Sequence, residues 1–184
     1  MQVVKTRFAG LVEISPRLFH DTRGWFCEYY TEREFRKHGI TTSFVQDNQS
    51  FTHMGVIRGL HMQLPPVGQA KLVTVITGRI MDVVVDLRES SKTFGQHYTC
   101  ELNGQRRNML YVPEGFAHGF AALEDTIFFY KCSDFYSREH ASGIVWNDPA
   151  LGINWPIENP VVSGKDQELP SFEEFGRKSV TSQR

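Results

Sequence analysis

Cysteine is scarce and badly placed for cross-linking: Cys27, Cys100 and Cys132 are the only three, widely spaced and with no CxxC pair. An odd, dispersed set is neither a disulfide framework nor a zinc knuckle, and free thiols fit a reducing cytoplasm. Long apolar runs are missing too. No stretch approaches the roughly 18 residues a membrane span needs, and the opening MQVVKTRFAG carries Lys5 and Arg7 rather than a secretory core. Neither charge sign prevails: 20 Lys+Arg against 21 Asp+Glu leave a formal net charge of -1. That balance removes the electrostatic case for a nucleic-acid or membrane-surface partner but leaves room for a small anionic ligand. There is no GxGxxG or Walker motif, hence no sign of a dinucleotide or nucleotide-triphosphate cradle.

Helical periodicity is also sparse. The best candidate is Thr31 to His38, with Thr31 and Glu34 at capping-box spacing and Gly39 as a stop. What is abundant is short β-rich stretches broken by turn residues: 8–14, 25–30, 43–47, 56–61, 71–76, 79–87, 97–102, 108–112, 117–123 and 126–131. Thr77-Gly78 joins two of them tightly. Asn103-Gly104 joins two others and is the strongest short hairpin signal present. With 184 residues, 40% of them hydrophobic, the chain reads as one all-β domain over 1–184, a sandwich or barrel. From about Tyr136 the pattern turns loop-like, and the segment from Ser171 reads as a polar wrap or a fraying end.

Three stretches carry residues suited to chemistry. In RIMDVVVDL, period two puts Met81, Val83, Val85 and Leu87 on one face and Ile80, Asp82, Val84 and Asp86 on the other. Those acids face either solvent or a ligand-filled interior. In Arg58-Gly-Leu-His61-Met-Gln63, His61 and Gln63 share a face; Arg58 lies opposite unless Gly59 bends the strand. Pro113-Glu-Gly-Phe-Ala-His118 is a turn feeding a strand that bears a second histidine.

Together these stretches resemble the cupin superfamily. Gly55, five residues, then His61 resembles the first cupin motif, and Pro113-x-Gly115-x-x-His118 the second. The resemblance implies a small jelly-roll barrel with short peripheral helices and an irregular C-terminal segment. Cupin metal sites use three His and one Glu; the corresponding residues here are His61, Gln63, Lys71 and His118. An ammonium in place of a carboxylate repels a divalent ion, so no metal and no cofactor are expected. A metal-dependent cupin oxygenase or isomerase is the reading this disfavours. Two imidazoles and a cation suit proton abstraction beside a carbonyl: a histidine base, an ammonium on the developing enolate, and a tyrosine on the far side as acid. Tyr111, Tyr130 and Tyr136 are all available for the last role.

At higher resolution the chain resembles the dTDP-4-dehydrorhamnose 3,5-epimerase family from about Phe8 to Pro170. The blocks are Asp21-x-Arg23-Gly24-x-Phe26-x-Glu28, Phe44-Val-Gln46-Asp47-Asn48, Val56-x-Arg58-Gly-Leu-His61-x-Gln63, Gly68-x-x-Lys71, Asp82-Val-x-Val-Asp86, Pro113 to Phe120, Tyr130-Lys131, Trp146-Asn-Asp148-Pro, Trp155-Pro156 and Ser163-x-Lys165-Asp166. The resemblance implies that His61 removes the sugar protons with Asp166 as its partner, that Tyr130 is the acid, and that Lys71 holds the 4-keto oxygen. It further implies that His118 and Asp82 form a second pair, that Arg58 and Arg23 bind pyrophosphate, and that Tyr136 stacks on thymine. Gln46, Asn48, Glu28, Gln63 and Lys165 would contact nucleotide and sugar. A homodimer follows from the same resemblance, with Arg23 and Glu28 reaching the neighbour's site, and the free thiols place it in the cytoplasm. One departure is visible: an acidic residue often precedes the glycine-isoleucine pair, where this chain has Ala141 and Ser142 before Gly143. Two alternatives accompany this reading: a relative that inverts a single centre, and a non-catalytic sugar-nucleotide binding cupin.

Overall fold

The computed structural model describes residues 1–181. Thirteen strands carry most of the regular structure. A six-stranded antiparallel sheet is formed, in spatial order, by β1 (Gln2–Lys5), β2 (Val12–Ser15), β10 (Met109–Val112), β7 (Lys71–Thr77), β12 (Thr126–Cys132) and β5 (Gln46–Thr52). A five-stranded sheet has the order β13 (Ala141–Gly143), β6 (Ile57–Gln63), β11 (Phe116–Ala122), β8 (Arg79–Asp86) and β9 (His97–Asn103). A separate ribbon pairs β3 (Phe19–Asp21) with β4 (Gly24–Phe26). The helices are short: α1 (Glu32–Lys37), α2 (Gly164–Gln167) and α3 (Phe172–Thr181). The architecture is the all-β, cupin-like jelly roll. Among the described residues, no helix is long and apolar enough to cross a membrane.

Period-two alternation divides each strand between an inner and an outer core. Val73 and Val75 of β7, Ile80 and Val84 of β8, Phe120 of β11 and Phe128 of β12 meet between the sheets. The outer face of the five-stranded sheet, with Leu60, Val83 and Val85, is covered by Ile144, Leu151 and Phe175 from the C-terminal third. The outer face of the other sheet packs on Phe35 of α1 and on Ile40. Both faces of β8 are therefore buried. Asp82 points between the sheets with no exposed surface, and Asp86, equally buried, is tied to Arg88, Ser91 and Thr93.

Several local expectations change. Asn103-Gly104 makes no hairpin: β9 pairs with β8, whereas β10 pairs with β2 and β7. The turn thus carries the chain from one sheet to the other. Thr31 makes no side-chain cap, and Glu34 pairs with Lys37 at 2.7 Å instead of reaching back. The end of the chain is more regular than a polar wrap. Ser171 and Glu174 form a reciprocal capping box, with bonds of 2.9 Å from Ser171 N to Glu174 Oε2 and 3.2 Å from Glu174 N to Ser171 Oγ. That box starts α3, whose Phe172 and Phe175 pack on the outer core.

Candidate active site

The site begins with a backbone irregularity. In the β6–β11 ladder His118 faces His61, and Phe120 faces Arg58, so β6 carries one residue more than its partner at this point. Gly59 is the residue that permits it. Its φ is +128°, and a Cβ there would lie 2.6 Å from Gly119 Cα. The bulge brings Arg58 to the inner face, where it lines the same cavity as His61, while Leu60 and Met62 remain in the outer core.

Two lobes of one cleft open between the sheets, of about 620 Å³ and about 220 Å³. His61, Lys71 and Tyr130 line both, and so stand where the lobes meet. The larger lobe adds Gln46, Asn48, Tyr136 and Lys165; the smaller adds Arg58 and His118.

His61 Nε2 is 2.7 Å from Asp166 Oδ1. Asp166 arrives from α2, whose first turn is capped by Ser163, the Ser163 hydroxyl accepting from Asp166 N at 3.2 Å. Its Oδ2 accepts from Gly59 N at 3.1 Å, so the glycine that bends β6 also fixes the carboxylate. Burial pushes the Asp166 pKa up, but the hydrogen bond and charge of His61, with the Gly59 and Ser163 contacts, outweigh it and the net shift is downward. Asp166 is thus a fixed anion behind the imidazole.

The second pair is drier. His118 Nε2 is 2.8 Å from Asp82 Oδ1, and Asp82 Oδ2 is buried without a hydrogen-bond partner. Burial lifts the Asp82 pKa above its usual value, against the pull of His118 and Lys71. The Lys71 side chain makes no hydrogen bond or ion pair among the described residues, which leaves its Nζ available to a ligand oxygen; burial lowers its pKa, opposed by Cys132 and Asp82. Tyr130 has its pKa raised by burial, which keeps the phenol protonated and able to donate. Among the described residues no three His, Cys, Asp or Glu side chains converge as metal ligands. An imidazole backed by a carboxylate, an ammonium and a neutral phenol around one cleft can remove a proton beside a carbonyl, hold the resulting oxyanion and return a proton.

Most residues named from the sequence meet here; three stand apart from the rest. Arg23 is on the β3–β4 ribbon, 88% exposed at its side chain and paired with Asp21 at 2.6 Å. Glu28 lines a different depression beside Phe19 and Phe35. Neither lines this chain's cleft, because the ribbon projects outside both large sheets. Gln63 lines the cleft, but it is only 4% exposed and its amide is spent on backbone groups. Ser142, at the position of the missing acid, is on the wall with Ala141. Cys132, which none of the sequence motifs marks, lines the larger lobe opposite Lys71 in the β12–β7 ladder and accepts from Asn48 Nδ2 at 3.6 Å. The signal for it was present: Tyr130 and Cys132 are two apart on one strand, hence on one face.

A family model described as dTDP-4-dehydrorhamnose 3,5-epimerase matches residues 5–174. The chain is 44% identical over 168 residues to the dTDP-4-dehydrorhamnose 3,5-epimerase of Shigella flexneri, covering 90% of this chain and 93% of the relative. Among solved structures it is similar to the Bacillus anthracis dTDP-4-dehydrorhamnose 3,5-epimerase with TDP and PPi bound, at 46% identity and a TM-score of 0.91, covering 93% of this chain and 99% of that one. It is also similar to a dTDP-6-deoxy-D-glucose-3,5-epimerase of Legionella pneumophila in complex with dTDP-4-keto-L-rhamnose, at 39% identity and a TM-score of 0.89, covering 94% and 93%.

Proposed function

The chain belongs to the dTDP-4-dehydrorhamnose 3,5-epimerase family, and from that membership we propose the reaction and the residues that carry it. It is an epimerase of dTDP-rhamnose biosynthesis: it inverts C3 and C5 of dTDP-4-keto-6-deoxy-D-glucose to give dTDP-4-keto-L-rhamnose. The observation that supports the residue roles best is the 2.7 Å contact of His61 with Asp166 at the junction of the two lobes, beside Lys71 and Tyr130.

The C4 ketone acidifies the protons on C3 and C5. His61 takes one of them, and Asp166 stabilises the imidazolium that forms. Lys71 stabilises the enolate oxygen from a site where burial strengthens its field. Tyr130 delivers a proton to the opposite face, inverting the centre, and a ring flip presents the second carbon to the same residues. His118 and Asp82 line the pocket floor. Arg58 binds pyrophosphate through its planar fork, Tyr136 stacks on thymine, and Asn48, Gln46 and Lys165 complete the nucleotide and sugar contacts.

A homodimer would account for Arg23 and Glu28 by placing them at the neighbouring copy's cleft. The ribbon's exposed Phe19, Trp25 and Phe26 support that reading. Sedimentation of the wild type should give twice the chain mass; a monomer at working concentration would exclude it.

The decisive experiment is incubation with dTDP-4-keto-6-deoxy-D-glucose in heavy water, followed by NMR. Deuterium should enter at both C3 and C5. Label at one carbon alone would reduce the reaction to single-centre inversion, and no label with retained dTDP binding would leave a binding module.

A further inference from the structure

Gln63 is the last residue of β6, two positions from His61 on the same inner face. That placement suggests a ligand contact, but its amide is already committed. Nε2 donates to Val67 O and to Phe135 O, the latter at 3.0 Å, and Oε1 accepts from Ser137 N at 2.8 Å. Both donors and an acceptor are used on backbone groups, and this pattern fits only one orientation of the amide. Between the anchored Phe135 and Ser137 lies Tyr136, whose own N–H donates to Gln46 Oε1 at 3.1 Å. Gln46 belongs to the six-stranded sheet and Gln63 to the five-stranded one. Three successive residues, 135 to 137, are therefore strapped across the cleft mouth from both sheets, by two glutamine side chains.

Tyr136 gains most from this. Its side chain lines the larger lobe, yet the residue is 65% exposed and its ring makes no ring contact among the described residues. A ring with so little packing behind it must take its orientation from the backbone. Fixing that backbone beforehand removes an ordering cost that would otherwise weaken ligand binding.

We propose that Gln63 is a positioning residue for Tyr136, setting affinity for the nucleoside end of the substrate through the 135–137 backbone rather than by touching the substrate. This rests on the reading that Tyr136 stacks on the base. The inference assigns Gln63 a role different from the substrate contact its motif implies, and it separates base recognition from the chemistry at His61.

The test is a double-mutant cycle on the full-length protein, read as the Kd for dTDP by calorimetry together with kcat and KM. Gln63→Leu should raise the dTDP Kd and the KM at least tenfold while kcat falls less than threefold. In a Tyr136→Ala background the same substitution should change Kd less than twofold. If Tyr136→Ala weakens dTDP binding but Gln63→Leu costs as much in its presence as in its absence, the positioning role is overturned while base stacking survives. If Tyr136→Ala leaves the dTDP Kd unchanged, the stacking reading fails and takes the inference with it. A loss carried by kcat at constant KM would put Gln63 against the sugar and overturn it as well. Amide hydrogen exchange on the wild type is independent of whether the variant folds. The Ser137 and Tyr136 amides should exchange at least tenfold more slowly than that of Glu139, for which the structure gives no acceptor; equal rates would overturn the strap.

Discussion

His61 and His118 face each other across the β6–β11 ladder, and each leans on an aspartate from a different element. The resemblance between the pairs ends there. Asp166 accepts from His61 Nε2 and from Gly59 N, and is held as an anion. Asp82 is fully buried with one oxygen unpartnered, and burial draws it toward the protonated form. A fixed anion behind His61 is placed to stabilise an imidazolium there, and this contrast in geometry is why the proton-abstracting role is proposed for His61.

Asp166→Asn tests that assignment. The amide preserves shape but removes the charge that stabilises the imidazolium. We expect kcat to fall by about a hundredfold or more, within the range of general-base effects, with dTDP affinity nearly unchanged. Solvent-deuterium uptake at C3 and C5 should slow in step. Wild-type exchange in this variant would show that the carboxylate is dispensable.

Lys71→Met should lower kcat by about 10²- to 10³-fold, the loss typical of a deleted oxyanion partner. Because burial lowers the Lys71 pKa, the ammonium discharges below the ordinary lysine value of 10.5. The wild-type pH profile of kcat should accordingly decline on the alkaline side before that pH. An activity plateau running past it would argue against a charged Lys71 in the transition state.

Tyr130→Phe should reduce turnover more than tenfold and change dTDP affinity little, since the ring remains and only the proton donor is lost. Equal damage to both quantities would make Tyr130 a packing residue next to Phe128.

Gly59→Ala should destabilise the fold by about 2 kcal/mol or more, from strain at positive φ and a backbone clash. Thermal unfolding measures this. The Cβ would sit 2.6 Å from Gly119 Cα and 3.1 Å from His118 O, so the two histidine strands must separate. A melting temperature within a degree of wild type would mean that the bulge relaxes freely.

Asp86 predicts an acid limit. Burial raises its pKa, but hydrogen bonds from Arg88, Ser91 and Thr93 prevail and bring it to about 2 from 3.8. A depressed folded-state pKa contributes stability that is complete above 3.8 and is lost as pH falls toward 2. Denaturant titrations should show wild-type stability dropping through that window, and Asp86→Asn, less stable at neutral pH, should drop less. Parallel curves would place the acid sensitivity elsewhere.

How much of this could be read in advance depended on what each strand faces. β8 and β11 bury apolar alternation and were legible nearly to the residue. The sequence pattern sets a strand at 43–47, whereas β5 runs over Gln46–Thr52, because its inward residues, Gln46, Asn48 and Ser50, line the cleft and are polar while Phe51 points outward. A strand that serves a ligand inverts the usual pattern. β1 was missed since only Val3 of its four residues is even partly shielded. The Asn103-Gly104 turn misled because turn chemistry encodes a reversal and says nothing about which sheet receives the chain. For the site, motif spacing points to His61, Lys71 and His118, whereas only the family resemblance chooses Tyr130 over Tyr111 and Tyr136. The partnership of His61 with Asp166, 105 residues away, came only from family resemblance.

The Asp166 carboxylate reaches His61 on a segment that joins the barrel through a few thin attachments: Val161 N to Gly55 O at 3.0 Å, Ile57 N to Val161 O at 3.0 Å, and Val145 N to Pro170 O at 2.9 Å. Such a strap opens more cheaply than the sheets it lies on. During synthesis it also leaves the ribosome after every strand of the barrel. A nascent chain whose strands have all emerged therefore still lacks Asp166, the residue proposed as the partner of the base.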